Sequence, residues 1–166
     1  MGQFLGGTGK IAVVSSAIAS ENNNYYVQVR ETEFADFIHK EYPDIEIITT
    51  LDSFEDPQIT YEKTVKLLRD YQDLQGIYIT CGGVSQVGRA LEESGRAKDI
   101  RVISFEDYPE VVDLIRKDVI DCTLAGELQQ QGEIPVQIIM DYLVFGKEPE
   151  QQQIFTDIRV LVKESL

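Results

Sequence analysis

One arginine and one glutamate are the residues of this sequence best suited to binding a polar small molecule. Arg30 falls four residues after Tyr26 and four before Phe34, so a helix places its guanidinium close to an apolar face. A guanidinium there needs either an internal carboxylate or a ligand as its partner, and the sequence leaves both open. Glu106 directly follows the short apolar run 101–105, where its carboxylate is available to accept hydroxyl protons.

Glycines supply the next part of the candidate site. Residues 76–95 have the pattern of a buried strand, a turn at Gly82-Gly83 and an amphipathic helix. Such a turn places backbone N–H groups and a helix N-terminus at one edge of the sheet, where open α/β sheets bind polar ligands. A tight strand-to-helix turn without any ligand is the alternative that this motif alone leaves open.

The sequence favours a binding protein without a cofactor or a metal over an enzyme. It contains no zinc-ligand spacing, no nucleophile elbow and no Ser/His/Asp set. A small enzyme using Asp52 and Glu106 as acid and base is the alternative from another class. The net charge of −14, with no basic cluster, argues against direct contact with nucleic acid or an anionic membrane.

Alternating strand and helix patterns must position these residues. Strand and helix patterns alternate five times with short connections, which predicts a single α/β domain over residues 1–166, with three α/β/α layers and a mostly parallel sheet. The carboxyl ends of parallel strands meet at one edge, which brings together Ser16, Gly82, Glu106 and Gly126. A polar loop at 15–24 follows the first strand, and a final strand at 158–162 is expected at a sheet edge.

The helix patterns also predict which side chains face the core. Pro135 lies inside the last predicted helix, 127–145, and predicts either a kink or a later start. Ile154-Phe155 has the pattern of a further strand. The predicted inward positions are Tyr26, Phe34, Phe37 and Ile38 in the first helix, Tyr61, Val65 and Leu68 in the second, and Leu128, Val136, Ile139, Met140 and Leu143 in the last.

The two cysteines and the amino-terminal residues indicate the cellular compartment and whether the sequence is part of a longer protein. Cys81 and Cys122 lie in or beside apolar runs and lack a C-x-x-C partner, so we predict buried free thiols. Free thiols suit a reducing compartment, and we expect a cytoplasmic protein that makes no membrane contact. The run Phe4-Leu5-Gly6-Gly7 resembles the last turn of a helix and its glycine stop, which suggests that Met1 is an internal position of a longer protein.

In order and spacing, these segments resemble the C-terminal part of the type I periplasmic-binding-protein superfamily, which includes lac-repressor-family transcription regulators and ribose-type sugar-binding proteins. The likeness covers nearly the whole chain and rests on GKIAVVSS, VRETEF, GIYITCGGVSQVGRALEESG, RVISFEDYPEVVDLI, IDCTLAGELQQQG and FTDIRVLVKES. It implies one of two α/β subdomains that hold a ligand, commonly a sugar, in the cleft between them. The first subdomain and the helix-turn-helix of a regulator are not part of this sequence.

The resemblance also implies a role for each candidate position. Arg30 matches the arginine that grips sugar hydroxyls, and Glu106 stands where the family usually has an aspartate. Gly82 falls where an asparagine or aspartate is common, and Gly126 falls where a glutamine is common, so two expected polar contacts are missing. The predicted ligand-binding residues are Arg30, Glu106, Gly82, Gly83, Gly126 and Ser16.

From this resemblance we expect the effector-binding part of a lac-repressor-family regulator. Such a protein is a homodimer without enzymatic activity, its effector is a small carbohydrate, and it binds DNA only through a domain outside this sequence. The alternative is the solute-binding protein of a sugar ABC transporter. The sequence upstream of Met1 separates the two, since a helix-turn-helix supports the regulator and a signal sequence or lipoprotein cysteine supports the transport protein.

Overall fold

Six strands form one sheet in the computed structural model, which describes residues 1–16 and 25–166. Their order across the sheet is β2-β1-β3-β4-β5-β6; the first five pair in parallel, and β6 runs antiparallel to β5. The predicted mostly parallel sheet with an edge strand at 158–162 is confirmed. The strands are β1 (Thr8–Ser15), β2 (Asp44–Asp52), β3 (Leu74–Ile79), β4 (Arg101–Phe105), β5 (Cys122–Gly126) and β6 (Ile158–Val162).

Helices cover both faces of this sheet. On one face, Ile38 of the first helix packs with Ile11 and Ile45. On the other face the next three helices enclose the larger core, where Leu67, Val87 and Ile115 meet apolar side chains of β1, β3 and β4. This is the predicted three-layer α/β/α arrangement. The helices are α1 (Tyr25–Glu41), α2 (Pro57–Asp70), α3 (Val84–Ser94), α4 (Pro109–Arg116) and α5 (Leu128–Phe145), followed by a short 3₁₀ turn (Lys163–Ser165).

The helix ends follow from their local sequences. Asp56 caps α2, because its Oδ1 accepts a hydrogen bond from the N–H of Ile59 at 2.8 Å, and Pro57 occupies the first turn, where its missing N–H has no cost. At the end of α3, Gly95 adopts a left-handed φ of 71° and stops the helix, as its position predicts. The predicted polar loop after β1 lies outside the described residues from position 17 to 24.

The predicted helical turn at the amino terminus is also present. The N–H of Gly7 donates to the carbonyl of Gly2 at 3.0 Å, and the N–H of Gly6 donates to Gln3 at 3.3 Å. With Gly6 at a φ of 65°, this is the hydrogen-bond pattern by which a glycine ends an α-helix. The turn feeds directly into β1.

The buried stripe of α1 differs from the predicted one. Val27 and Ile38 are buried, whereas Tyr26 is 71% exposed and Phe37 is 57% exposed. The prediction was wrong for these two aromatic residues because the stripe of α1 that faces the sheet contains residues 27, 34 and 38. Tyr26 precedes the first of these residues and therefore points away from the sheet. Phe34 lies on that line and packs on the sheet, as expected.

Threonines take the place of Val65 on the buried face of α2. Val65 is 39% exposed, contrary to the prediction, while Thr60 and Thr64 are buried. Each threonine hydroxyl donates to the carbonyl four residues earlier at 2.7 Å, which satisfies its hydrogen-bonding group inside the core. Leu68 is buried, as predicted.

The largest difference from the sequence expectation is α5, which buries no residue and runs through Pro135 as one helix. Its chain leaves the sheet at the carboxyl end of β5 and returns at the same place, where the N–H of Glu127 donates to the carbonyl of Asp157 at 3.2 Å. The inward prediction fails because α5 does not pack on this sheet. Ile154-Phe155 forms no strand, and Phe155 is 85% exposed. The exposed fractions are 63% for Leu128, 62% for Val136, 56% for Ile139, 50% for Met140 and 72% for Leu143.

Candidate functional site

Arg30 extends from α1 to the carboxyl end of the central strand β3. Its Nη1 donates to the carbonyl oxygen of Thr80 at 3.0 Å, and its guanidinium carbon lies 3.9 Å from the centre of the Phe105 ring. Among the described residues no carboxylate forms an ion pair with Arg30, so its internal partners are a carbonyl and an aromatic ring. Its remaining guanidinium N–H groups make no hydrogen bond to the described part of the chain.

Three aromatic rings in contact with one another support this arginine. Phe34, one helical turn after Arg30, stacks on Tyr78 with ring centres 3.8 Å apart. Tyr78 in turn contacts Phe105 edge to face at 6.0 Å, and Phe105 carries the guanidinium. Two strands and one helix therefore fix the position of a single cation, which is the preorganisation that a binding site needs.

The glycine turn between β3 and α3 lies at the same edge, because Arg30 bonds the carbonyl of Thr80 at its start. Gly83 has a φ of 94°, and a Cβ atom there would stand 2.8 Å from Cγ2 of the buried Thr60. Gly82 is exposed, and a Cβ atom added to it would meet nothing within 4 Å. Gly83 is therefore required by the fold, whereas Gly82 leaves open space in front of the turn.

This contrast gives a matched pair of variants. Gly83→Ala is expected to lower the free energy of unfolding by about 2 kcal/mol, because alanine is strained at this φ and its methyl group overlaps Thr60. Gly82→Ala should change it by less than about 0.5 kcal/mol. Urea unfolding of both variants measures the difference. Equal stabilities would show that the turn does not have the geometry described.

Glu106 adopts a left-handed backbone conformation, with a φ of 76°. Both of its backbone groups bond to the neighbouring strand: its N–H donates to Leu124 at 3.0 Å, and its carbonyl accepts from Thr123 Oγ1 at 2.6 Å. Backbone strain of this kind is common at functional sites. Within the described chain its carboxylate has no hydrogen-bond or ion-pair partner, so it is available as an acceptor.

The other two predicted site residues have internal neighbours. Ser16 is buried, and its hydroxyl donates to Oε1 of Glu55 at 3.1 Å. Gly126 ends β5, and Nε2 of Gln131 lies 2.5 Å from the position of an added Cβ atom. A glutamine amide thus fills the space beside Gly126, although it comes from α5 instead of from the strand end. Both residues lie at the carboxyl edge, yet neither contacts Arg30.

Phe54 is a residue of this edge that the sequence reasoning missed. It lies in the loop between β2 and α2 at a φ of 53°, and it is 52% exposed. The ammonium group of Lys63 lies 4.4 Å from the centre of its ring and donates to the Asp52 carbonyl at 2.6 Å. The available signal was a lone aromatic residue in an otherwise polar loop after a strand.

The structure does not bring Asp52 and Glu106 together as an acid–base pair. They follow β2 and β4, and the strand order places both β1 and β3 between them. Three strand spacings separate such positions by about 14 Å. The Asp52 carboxylate also accepts a hydrogen bond from the N–H of Phe54 at 3.0 Å. This carboxylate therefore stabilises the loop between β2 and α2.

The two cysteines are free and buried, as predicted. Burial raises the pKa of both thiols above the ordinary value, and for Cys81 the hydroxyl of Ser53, 3.3 Å from Sγ, acts in the opposite direction. A buried thiol with a raised pKa is a poor nucleophile. Cys81 therefore contributes to packing beneath the glycine turn.

Other parts of the described chain offer weaker candidates. A cavity of about 460 Å³ lies at the amino edge of the sheet, but its charges pair with one another, Arg101 with Asp121 at 2.8 Å and Lys163 with Asp118 at 2.6 Å. Over residues 1–16 and 25–166, no helix is long and apolar enough to cross a bilayer, and no three acidic, His or Cys side chains are grouped to hold a metal ion.

Comparison with solved structures shows the same fold. The chain superposes with a TM-score of 0.86 on a glucose-galactose binding protein, GanP, from Geobacillus stearothermophilus, at 20% identity. It superposes with a TM-score of 0.82 on a sugar-binding protein of a sugar ABC transporter from Bacillus halodurans, at 27% identity. A solute-binding protein from Agrobacterium vitis with bound D-fucose gives 0.84 at 24% identity.

These alignments cover 99% of this chain but only 57%, 58% and 55%, respectively, of the three solved chains, so the sequence spans a little over half their length. The regulator prediction gains no support from them, because they are described as sugar-binding or transport proteins. No curated protein sequence matches the chain. A family profile described as a periplasmic binding protein domain matches residues 1–148, most of the sequence. The chain belongs to this periplasmic binding protein family.

Proposed function

We propose that this chain is the sugar-binding lobe of a solute-binding protein that serves an ABC transporter. The observation that carries the proposal is Arg30, held at the carboxyl edge of the sheet by Thr80 and Phe105, with guanidinium N–H groups that bond no other described residue. Structures with the same fold include binding proteins of ABC transporters. This favours the transport alternative over the regulator.

The chemistry of the edge suits a neutral, hydroxyl-rich ligand. Arg30 only donates hydrogen bonds, and the Glu106 carboxylate accepts them, so together they can bond both the oxygen and the hydrogen of a sugar hydroxyl. The exposed ring of Phe54 offers an apolar surface for the C–H face of a sugar ring. Gly82 leaves room where a larger side chain would narrow the edge.

We propose further that a second α/β lobe completes the site. The apolar residues of α5 are exposed although the helix leaves from and returns to the carboxyl edge, and a contiguous apolar surface of this kind marks an interface. The solved structures contain further chain beyond the part matched here. A lobe facing this edge would cover α5 and enclose the ligand.

The transport proposal places the protein outside the cytoplasm. The cytoplasmic location, the homodimer and the DNA contact predicted from the sequence belong to the regulator hypothesis and stay predictions of it. The buried thiols fit either setting, because their burial protects them from oxidation.

Titration of the isotopically labelled chain with sugars tests the proposal. D-galactose, D-glucose and D-fucose should shift the backbone amide resonances of Thr80, Gly82 and Glu106. We expect millimolar dissociation constants, since one wall of the site is absent from this chain and an open half-site loses affinity. Glycerol at the same concentrations is the control for solvent effects. Shifts confined to α5, or no shifts with any sugar, would contradict the proposal.

A further inference from the structure

The hydroxyl group of Tyr78 is a polar group in the core that bonds none of the described residues. Tyr78 is 6% exposed and lies between Phe34 and Phe105 on the face of the sheet that carries α1. Its hydroxyl makes no hydrogen bond to any described residue, although a buried tyrosine usually finds a partner for this group.

This hydroxyl retains some contact with solvent. Within the described residues, Ser104 Oγ is the only side-chain polar atom that is fully enclosed and lacks a partner. The small exposed fraction of Tyr78 therefore includes its hydroxyl. Arg30 and Tyr78 both contact the ring of Phe105, Arg30 at 3.9 Å from its centre and Tyr78 edge to face at 6.0 Å. Tyr78 therefore lies on the same side of the sheet as the guanidinium of the candidate site and shares a neighbour with it.

The protonation state of Tyr78 is suited to a neutral ligand. Burial raises the pKa of its hydroxyl to about 12, against the smaller opposite effect of the Arg30 charge. The group therefore stays protonated at every physiological pH, and it can both donate and accept a hydrogen bond. Arg30 supplies only donors and Glu106 only acceptors, so Tyr78 adds a versatile contact.

We infer that the Tyr78 hydroxyl is a ligand contact, which binds a sugar hydroxyl next to the one held by Arg30. This inference rests on the proposed sugar-binding function and deepens it. It provides one polar contact for a site in which Gly82 has no side chain to offer. The rigid stacking of the ring on Phe34 fixes the direction of the contact, which favours sugars with a hydroxyl group at that position.

Tyr78→Phe tests this inference, because it removes a single oxygen atom and keeps the stacked ring. The variant should bind the sugar that binds best to the wild-type chain about 3- to 10-fold more weakly, the range for loss of one neutral hydrogen bond. Its thermal midpoint should be unchanged or slightly higher, since the hydroxyl bonds nothing in the described fold. The ring carbon resonances of Tyr78, assigned by their absence in the variant, should shift when sugar is added.

Tyr42→Phe is the matched control, because Tyr42 packs beside Ile38 and Ile45 near the amino edge. It should leave sugar affinity unchanged. Wild-type affinity in Tyr78→Phe, with no shift of the Tyr78 resonances, would overturn the inference and leave the proposed function standing. Absence of sugar binding by the wild-type chain would overturn both.

Discussion

Replacing Arg30 with alanine is expected to weaken sugar binding by about 2–4 kcal/mol, or roughly 30- to 1000-fold. The variant loses charge-assisted hydrogen bonds to the ligand, and no described residue beside Thr80 or Phe105 offers a replacement cation. In a half-site with a millimolar dissociation constant, a loss of this size removes measurable binding. Amide resonance titration of wild type and variant with the same sugar measures it.

The fold should tolerate the change. Arg30 makes one hydrogen bond to a strand carbonyl and one contact with an aromatic ring, so we expect unfolding free energy to fall by at most about 2 kcal/mol. Arg89→Ala is the control, since Arg89 lies on the surface of α3 and pairs with Glu93 at 2.8 Å. Unchanged affinity combined with a large loss of stability in Arg30→Ala would make Arg30 a structural residue, and the site assignment would fail.

Replacing Arg96 with alanine should give the largest loss of stability among the arginine variants, about 2–4 kcal/mol of unfolding free energy. Its Nη1 donates to the carbonyls of Leu68 and Tyr71, both at 3.0 Å. Its Nη2 donates to Gln72 at 3.0 Å and to Leu74 at 2.9 Å. One guanidinium thus joins the carboxyl end of α2 to the start of β3 and also faces the negative end of the helix dipole.

Urea unfolding measures this effect, and two comparisons sharpen it. Arg96→Lys keeps the charge but loses the planar fork, so its stability should lie between wild type and Arg96→Ala. Sugar affinity should be unchanged in both variants, because Arg96 follows α3 at the opposite edge from Thr80. A stability within about 0.5 kcal/mol of wild type in Arg96→Ala would show that the four contacts are replaced by water.

The mostly parallel sheet and the approximate position of Arg30 follow from local patterns, whereas the order of the strands does not. Apolar runs of strand length and apolar spacing of helical period occur within single elements, and parallel strands then bring their carboxyl ends to one edge by topology alone. The helical spacing between Arg30 and Phe34 placed the guanidinium near a buried face, although Tyr26, the other residue used in that argument, is exposed. Local patterns could not identify the hydrogen-bond partner of Arg30, because the Thr80 carbonyl is 50 positions away in the sequence.

The failures have a common physical cause. An apolar pattern indicates that one face of a helix is buried, but it does not indicate which surface covers that face. Leu143 and Met140 have the pattern of core residues, and in this chain no part of the sheet lies against them. The four carbonyls bound by Arg96 and the exposed ring of Phe54 depend on loop geometry, which local periodicity does not encode.

The most direct test of the central claim is to observe where a sugar touches the protein. Isotope-filtered nuclear Overhauser spectra of the chain with ¹³C-labelled galactose report which protein protons lie next to the sugar, because the effect falls steeply with the distance between protons. We predict contacts to the Arg30 side chain, the Phe54 ring and the Gly82 α-protons. Contacts confined to α5, or to the amino-edge cavity beside Arg101 and Lys163, would contradict the account.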